Sequence, residues 1–169
     1  MIYIGLGGNL PTIAYGAPEY TLATALQRLG EAGVQIVARS RWYRTAPVPA
    51  SDQPWFINGV AAVATAREPT ELLGLMLEIE RELGRRRGAR WDARVVDLDL
   101  LAYHDLVLAP SGGGAQLQLP HPRLQERAFV LRPLAEIAPA WRHPLTGRTI
   151  TELLAALPPE QVAEPLEPG

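Results

Sequence analysis

An α+β fold is what this sequence predicts, and three observations lead to it. Apolar runs at Ile2–Gly7, Val34–Ala38, Phe56–Ala64 and Val95–Tyr103 read as strands. Tyr20–Leu29 and the segment from Pro69 to Leu83 place apolar residues at helical spacing. Their order is strand, helix, strand, strand, helix, strand, the ferredoxin-like split βαβ pattern, here with a C-terminal helical addition. The sheet is expected to be antiparallel, four-stranded or slightly larger, with helices on one face. Its open face would carry the site, where the loops at 45–54 and 84–94 can meet.

The elements follow in order. Ile2–Gly7 ends in Gly7-Gly8-Asn9, and no GxGxxG runs on into a helix. The pair is either a plain turn or a place where a ligand approaches the backbone closely. Pro11–Glu19 is a loop; Leu22, Ala25, Leu26 and Leu29 share a helix face that Gly30 and Gly33 end. Val34–Ala38 is a strand that could extend toward Trp42-Tyr43. Thr45–Pro54 holds Pro47, Pro49 and Pro54, so it is a stiff loop suited to a binding wall or lid. Asn58 interrupts an apolar strand, either to satisfy backbone or to read the edge of a heterocycle. Glu68-Pro69-Thr70 opens a helix. Glu80 lies beside its apolar stripe and is assigned a structural role, pairing with a nearby arginine. Tyr103–Leu108 suggests a short hairpin arm with a flexible tip at Ser111–Gly114. Leu119–Phe129 is a turn leading into a short helix. Phe129–Ile137 reads as a helix that Pro133 starts or kinks, and Thr149–Leu157 as one with an N-cap threonine. The tail after Pro158 is expected to fray. Residues 1–169 are expected to form one domain.

The stretch Arg85–Leu101, RRRGARWDARVVDLDLL, concentrates the chemistry. Asp97 and Asp99 stand two apart on the last strand, so they share one face while Leu98 and Leu100 share the other. Adjacent carboxylates repel unless a cation sits between them or one is protonated. Such hard oxygen ligands suit Mg²⁺, which takes one or two carboxylates together with phosphate oxygens and water. Arg85, Arg86, Arg87, Arg90 and Arg94 crowd around Gly88 and Trp91 just before, and guanidinium groups grip phosphate bidentately. A polyphosphate held by arginine at one end and metal at the other fits both halves. A solvated basic loop beside two surface aspartates is the bland alternative, and it leaves two acids in an apolar strand unexplained.

Composition narrows the classes. There is no cysteine and no lysine; all 16 basic residues are arginine. Disulfides, thiolate chemistry, a Walker A lysine and Schiff bases are excluded. A net charge of −2 gives no global pull toward nucleic acid or anionic lipid, so the local arginine cluster favours a small anionic ligand. MIYIGLGGNL resembles no signal peptide, and no run reaches the ~18 apolar residues of a membrane span. A cytoplasmic monomer without nucleic-acid or membrane partners is the expectation.

Tyr43-Arg44-Thr45, DQPWFIN at Asp52–Asn58, the run from Gly84 to Leu101 and LPHPRLQERAFVLRPLAEIAP at Leu119–Pro139 resemble the 6-hydroxymethyl-7,8-dihydropterin pyrophosphokinase family of the folate pathway. The resemblance runs from the GGN turn to about residue 150. It implies transfer of pyrophosphate from ATP to the pterin's primary alcohol, with release of AMP. It implies that Asp97 and Asp99 bind two Mg²⁺ ions, with Asp97 assisting deprotonation of the alcohol. It implies a pterin stacked between Phe56 and Phe129, with Asn58 reading its edge beside Thr45, Pro47 and Val48. Arg85 and Arg94 would close over ATP as catalytic groups. Arg87, Arg90, Trp91, Leu98, His121 and Arg127 would line the nucleotide side. Phe56 stands where the family commonly has tyrosine, and Pro122 where a tyrosine often follows the histidine. Gln116-Leu117-Gln118 replaces residues that touch the nucleotide in some members, and the arginine loop is one residue shorter than in some. These departures bear on nucleotide affinity and loop motion. A ferredoxin-like RNA-binding module, or a nucleotide-binding regulatory domain that has lost activity, is the rival class.

Overall fold

The structure is a computed structural model, and it describes residues 1–47, 50–84, 95–109 and 117–166. Its strands are β1 (Ile2–Gly8), β2 (Gln35–Arg39), β3 (Tyr43–Thr45), β4 (Phe56–Ala64), β5 (Asp97–Tyr103) and β6 (Ala163–Pro165). Its helices are α1 (Pro18–Glu31), α2 (Pro69–Glu82), α3 (Ala128–Ile137) and α4 (Ile150–Ala155), with a 3-10 turn at Leu124–Glu126. The strands form one antiparallel sheet in the order β5-β1-β4-β3-β6, with β2 also paired to β4. The protein is thus α+β, as its sequence pattern predicts.

Local chemistry explains the helix limits. Pro18 and Pro69 occupy first-turn positions, where a missing N–H costs nothing. Glu68 and Glu71 form a reciprocal capping box at the start of α2, and Thr149 and Glu152 form another at α4. Gly33 and Gly84 follow α1 and α2 with φ of +92° and +99°, a left-handed conformation that glycine adopts without strain. Gly30 lies inside α1, so Gly33 ends it. Pro133 lies inside α3, where it removes the bond that would otherwise reach back to the Phe129 carbonyl.

The sheet separates two cores. Ile4, Leu6, Leu98 and Leu100 face α1 and α2, packing with Leu22, Leu29, Leu72, Met76 and Ile79. Each such buried side chain contributes about 1.5–3 kcal/mol relative to exposure. Val60 and Leu101 face the other way, against α3 and α4, with Leu124, Leu131, Leu134 and Ile150. Helices therefore cover one face fully and part of the second, rather than one face alone, because α3 carries its own apolar stripe to the sheet. Among the described residues, no helix covers the remainder of that second face.

Two further expectations change. Residues 40–42 separate β2 from β3: Ser40 Oγ accepts the Val60 N–H at 3.0 Å, and the Trp42 ring packs over Gly59, where an added Cβ would meet ring carbons at 2.7 Å. The tail after Pro158 forms β6, which pairs with β3 and so covers an edge whose backbone groups would otherwise lack partners. The hairpin arm closes where Leu108 exchanges both backbone bonds with Leu119; Ser111–Gly114 lies outside the described residues.

Candidate active site

β5 sets Asp97 and Asp99 on the partly open face, both half-buried, with Leu98 and Leu100 turned into the core behind. Glu80, buried on α2, accepts the Leu98 N–H at 2.6 Å and ties this strand to the helix beneath. Asp97 lies opposite Gly7 and Asp99 opposite Gly5 on β1, while Gly7 lies opposite Asn58 on β4. Two strand spacings, about 10 Å, therefore separate the carboxylate row from the Asn58 row. Only glycine lies between them on this face, so the floor has no side chains.

That floor opens into a cleft of about 850 Å³, lined by Asp97, Asp99, Thr45, Pro47, Phe56, Asn58, His121, Arg127 and Phe129 among others. Asn58 is buried and its amide is fixed: Nδ2 donates to Thr45 Oγ1 at 2.6 Å, and Oδ1 overhangs Gly7 so closely that a Cβ there would lie 2.4 Å away. The GGN turn is more than a turn. Asn9 Nδ2 donates to Gln53 Oε1 and to the Pro54 carbonyl, both at 2.9 Å, which fastens the proline-rich wall to the end of β1.

The Leu119–Phe129 segment supplies the opposite wall. The His121 N–H donates to the Leu101 carbonyl at 2.8 Å, bringing the imidazole to the carboxylate strand. His121 Nδ1 accepts the Arg123 N–H at 3.2 Å. Burial lowers the His121 pKa; Asp99 opposes this, and Arg127 and Arg123 add to it. A neutral imidazole with Nδ1 accepting carries its proton on Nε2, where it can donate to an anionic oxygen. Burial also lowers the Arg127 pKa while Asp99 holds it up, and its guanidinium stands 5.3 Å from the Phe129 ring centroid. An arginine remains cationic under such a shift.

Among the predicted residues, Asp97, Asp99, Thr45, Pro47, Phe56, Asn58, His121, Arg127 and Phe129 share this cleft. Leu98 does not: its side chain is buried in the core on the other face. Val48, Arg85, Arg87, Arg90, Trp91 and Arg94 lie outside the described residues, as does Gln116. Pro122 is exposed and Gln118 half-buried. The cleft also brings in Gly5, Gln53, Arg123, Arg148 and Gln161, which sequence reasoning left out. A signal existed for Gly5: in IYIGLGG the glycines alternate with Ile4 and Leu6, the period of one bare strand face.

Among the described residues no group of three or more His, Cys, Asp or Glu converges as a ready-made metal cage. Two carboxylates on one strand face are the donor set, which fits Mg²⁺ completed by phosphate and water better than a dedicated structural ion.

The family model for 7,8-dihydro-6-hydroxymethylpterin-pyrophosphokinase matches residues 3–139. A 2-amino-4-hydroxy-6-hydroxymethyldihydropteridine pyrophosphokinase of Methylorubrum extorquens is 43% identical over 163 residues, 95% of this chain and 95% of the relative. The protein of that name from Pseudomonas aeruginosa is 42% identical over 164 residues, covering 95% and 94%. A crystal structure of a Plasmodium falciparum HPPK-DHPS triple mutant with SDX-DHP shares the fold, with a TM-score of 0.71 at 16% identity over 91% of this chain and 43% of its own.

Proposed function

Since the chain belongs to the 7,8-dihydro-6-hydroxymethylpterin-pyrophosphokinase family, we propose that this cleft is where it transfers pyrophosphate from ATP to the hydroxymethyl group of 6-hydroxymethyl-7,8-dihydropterin, releasing AMP. The observation that carries this is the glycine floor with Asp97 and Asp99 on one side and Asn58 on the other. A flat heterocycle can lie on that floor with its edge at Asn58 and its alcohol toward the carboxylates.

The pterin side is assigned to Thr45, Pro47, Asn58, Phe56 and Phe129. The two rings stack on the bicycle, and such aromatic pairs add about 0.5–1.5 kcal/mol beyond the area they bury. Asn58, its amide orientation set by Thr45, reads the heterocycle edge. The phosphate side is assigned to Arg127 and His121, donors held near Asp99. Asp97 and Asp99 would hold two Mg²⁺ ions, which supply charge neutralisation for the triphosphate and acidify the alcohol when bound. The protein's part is positioning and exclusion of water, since in-line transfer needs aligned reactants more than covalent help. Val48 is read as a further part of the pterin wall. Arg85 and Arg94 are read as closing over ATP, with Arg87, Arg90 and Trp91 on the nucleotide side.

The strand order β5-β1-β4 followed by β2 and β3 supports the ferredoxin-like assignment, with α3 and α4 as the addition. Residues 1–169 are taken as one pyrophosphokinase domain. The RNA-binding alternative needs stacking aromatics along the open sheet face; Gly5 and Gly7 occupy its middle strand instead. The test is incubation with ATP, Mg²⁺ and 6-hydroxymethyl-7,8-dihydropterin. AMP should appear only when the pterin is present; AMP formed equally without it, or not at all, overturns the assignment.

A further inference from the structure

The family match ends at residue 139, yet the cleft does not. Gln161 lines it from the tail. Its Oε1 accepts the Ala128 N–H and its Nε2 donates to the Glu126 carbonyl, both at 2.9 Å. These two backbone groups lie on either side of Arg127. Ala128 opens α3, which has no side-chain cap of its own, so Gln161 satisfies a helix N–H that would otherwise lack a partner. Arg127 itself is extended, with φ −120° and ψ 112°, at the junction between the 3-10 turn and the helix. The junction's own backbone bonds are a long one from the Arg127 N–H to the Leu124 carbonyl, 3.4 Å, and those its carbonyl accepts from Val130 and Leu131; the Gln161 amide adds a hold on the residues to either side.

The same tail binds the opposite wall. The Val162 carbonyl accepts the Ala46 N–H at 3.3 Å, and Ala163 pairs with Thr45. Residues 161 to 163 therefore join the Arg127–Phe129 wall to the Thr45–Pro47 wall. An extended chain rises about 3.3 Å per residue, so the link is only about 7 Å long. The walls cannot separate much while both ends hold.

We infer that Gln161 is a positioning residue of this enzyme: its amide clamps the backbone on both sides of Arg127 and so sets Arg127 and Phe129 against the Thr45–Pro47 wall. This rests on the pterin and phosphate roles assigned above. Gln161 touches no reacting atom in this scheme and acts through the two residues it holds.

Three variants test it. Gln161→Leu removes both bonds at similar size. Gln161→Glu keeps the acceptor for Ala128 and loses the donor to Glu126. Glu164→Gln alters the same tail at an exposed ion pair with Arg44, 3.7 Å long, and Glu164 does not line the cleft. Two quantities are read well below the melting temperature: hydrogen exchange at the Ala128 amide, and Kd for 6-hydroxymethylpterin, an unreactive analogue that reports by its own fluorescence. Gln161→Leu should speed Ala128 exchange and raise Kd roughly tenfold, the loss expected for two backbone hydrogen bonds. Gln161→Glu should fall between, and Glu164→Gln should match wild type. Unchanged Ala128 exchange in Gln161→Leu overturns the clamp whatever the activity does. So does faster exchange with an unchanged Kd, or a Glu164→Gln defect equal to that of Gln161→Leu. If Gln161→Leu does not fold, Gln161→Glu decides by the same two readings. Absence of AMP from wild type would instead strike the proposed function, and the exchange measurement separates the two failures.

Discussion

Replacing Gly7 by alanine isolates the glycine floor. The added Cβ would lie 2.4 Å from Asn58 Oδ1, whereas ordinary contact begins near 3.4 Å, so the amide must retreat by about 1 Å. Asn58 has little room to do so. It is buried, and its Nδ2 bond to Thr45 is 2.6 Å long; a retreat of that size stretches it out of hydrogen-bonding range. A buried amide left without its partner costs about 1–3 kcal/mol, and residual overpacking a similar amount. The lower chain entropy of alanine returns about 0.5–1 kcal/mol. The net loss of about 2–4 kcal/mol corresponds to a fall in melting temperature of about 5–15 °C for a chain of this size. Gly5 is the internal control. It lies on the same strand and the same face, but the nearest atoms its Cβ would meet are Leu101 side-chain carbons at 3.4 to 3.5 Å, ordinary contact, so Gly5→Ala should melt close to wild type. Thermal unfolding followed by circular dichroism, with pterin titration of each variant, reads both effects. A Gly7→Ala protein that melts with wild type and binds pterin normally refutes the reasoning. So does an equal loss in Gly5→Ala, which would show that any substitution in β1 is costly.

Asp97→Ala and Asp99→Ala should each lower pterin-dependent AMP release by roughly 10²–10³-fold, on the scale of losing one electrostatic group in a preorganised site. Both should fold normally, since each removes one of two like charges on a strand face; near-wild-type turnover in either counts against the two-carboxylate reading. Phe129→Ala should weaken pterin binding by roughly tenfold and MgATP binding much less, measured by separate titrations; equal losses for both ligands would mean the ring is only part of the core. Stability should fall with acid in two stages. Burial lowers the pKa of His143 and of His121, so the fold binds protons at these rings less readily than the unfolded chain, which takes them up below pH 6.5; their contribution is complete above that pH and is lost as pH falls below it. Glu136 is held below the usual carboxylate range, where its bonds to Tyr43 and Arg41 outweigh burial acting the other way, so its contribution is present above pH 4.5 and is lost as pH falls through its lowered pKa. Melts from pH 8 to pH 3 should show both stages in wild type and a weakened second stage in Glu136→Gln; identical curves would exclude the Glu136 cluster as its source.

The alternation of side chains made much of this readable. Asp97 and Asp99 against Leu98 and Leu100 announce one polar and one core face on β5, and the structure divides them that way. The threonine cap of α4 and the glycine after α1 were readable too, because such signals act locally; the start of α1 was not, since Pro18 and Glu19 read as loop yet form its first turn. What escaped depends on partners distant in sequence. Nothing near Gln161 says that it meets residues 126 and 128, and the Pro- and Glu-rich tail reads as loose until β3 provides an edge for it. Asn9 reads as a turn residue until Gln53 and Pro54 arrive at its amide. Leu98 stands between the two aspartates, and strand geometry sends its side chain to the opposite face.

The cleft joins two charge environments that the topology keeps apart. β5 brings Asp97 and Asp99 to one side of the glycine strand, and Glu80 holds that strand from beneath. The segment from His121 brings His121 and Arg127 from the other layer, close enough to Asp99 for the charges to affect one another. A wall of carboxylates alone would repel a triphosphate, and a wall of arginines alone would bind it without metal and without a defined end. In a partly desolvated cleft such a pair interacts more strongly than it would in bulk water. If the proposed function holds, placing both signs around a floor without side chains would orient a long polyanion, with its metal-carrying segment at β5 and its remaining oxygens toward Arg127. On the proposed reading, the alcohol that receives the pyrophosphate approaches over Gly5 and Gly7, where the strand face carries no Cβ.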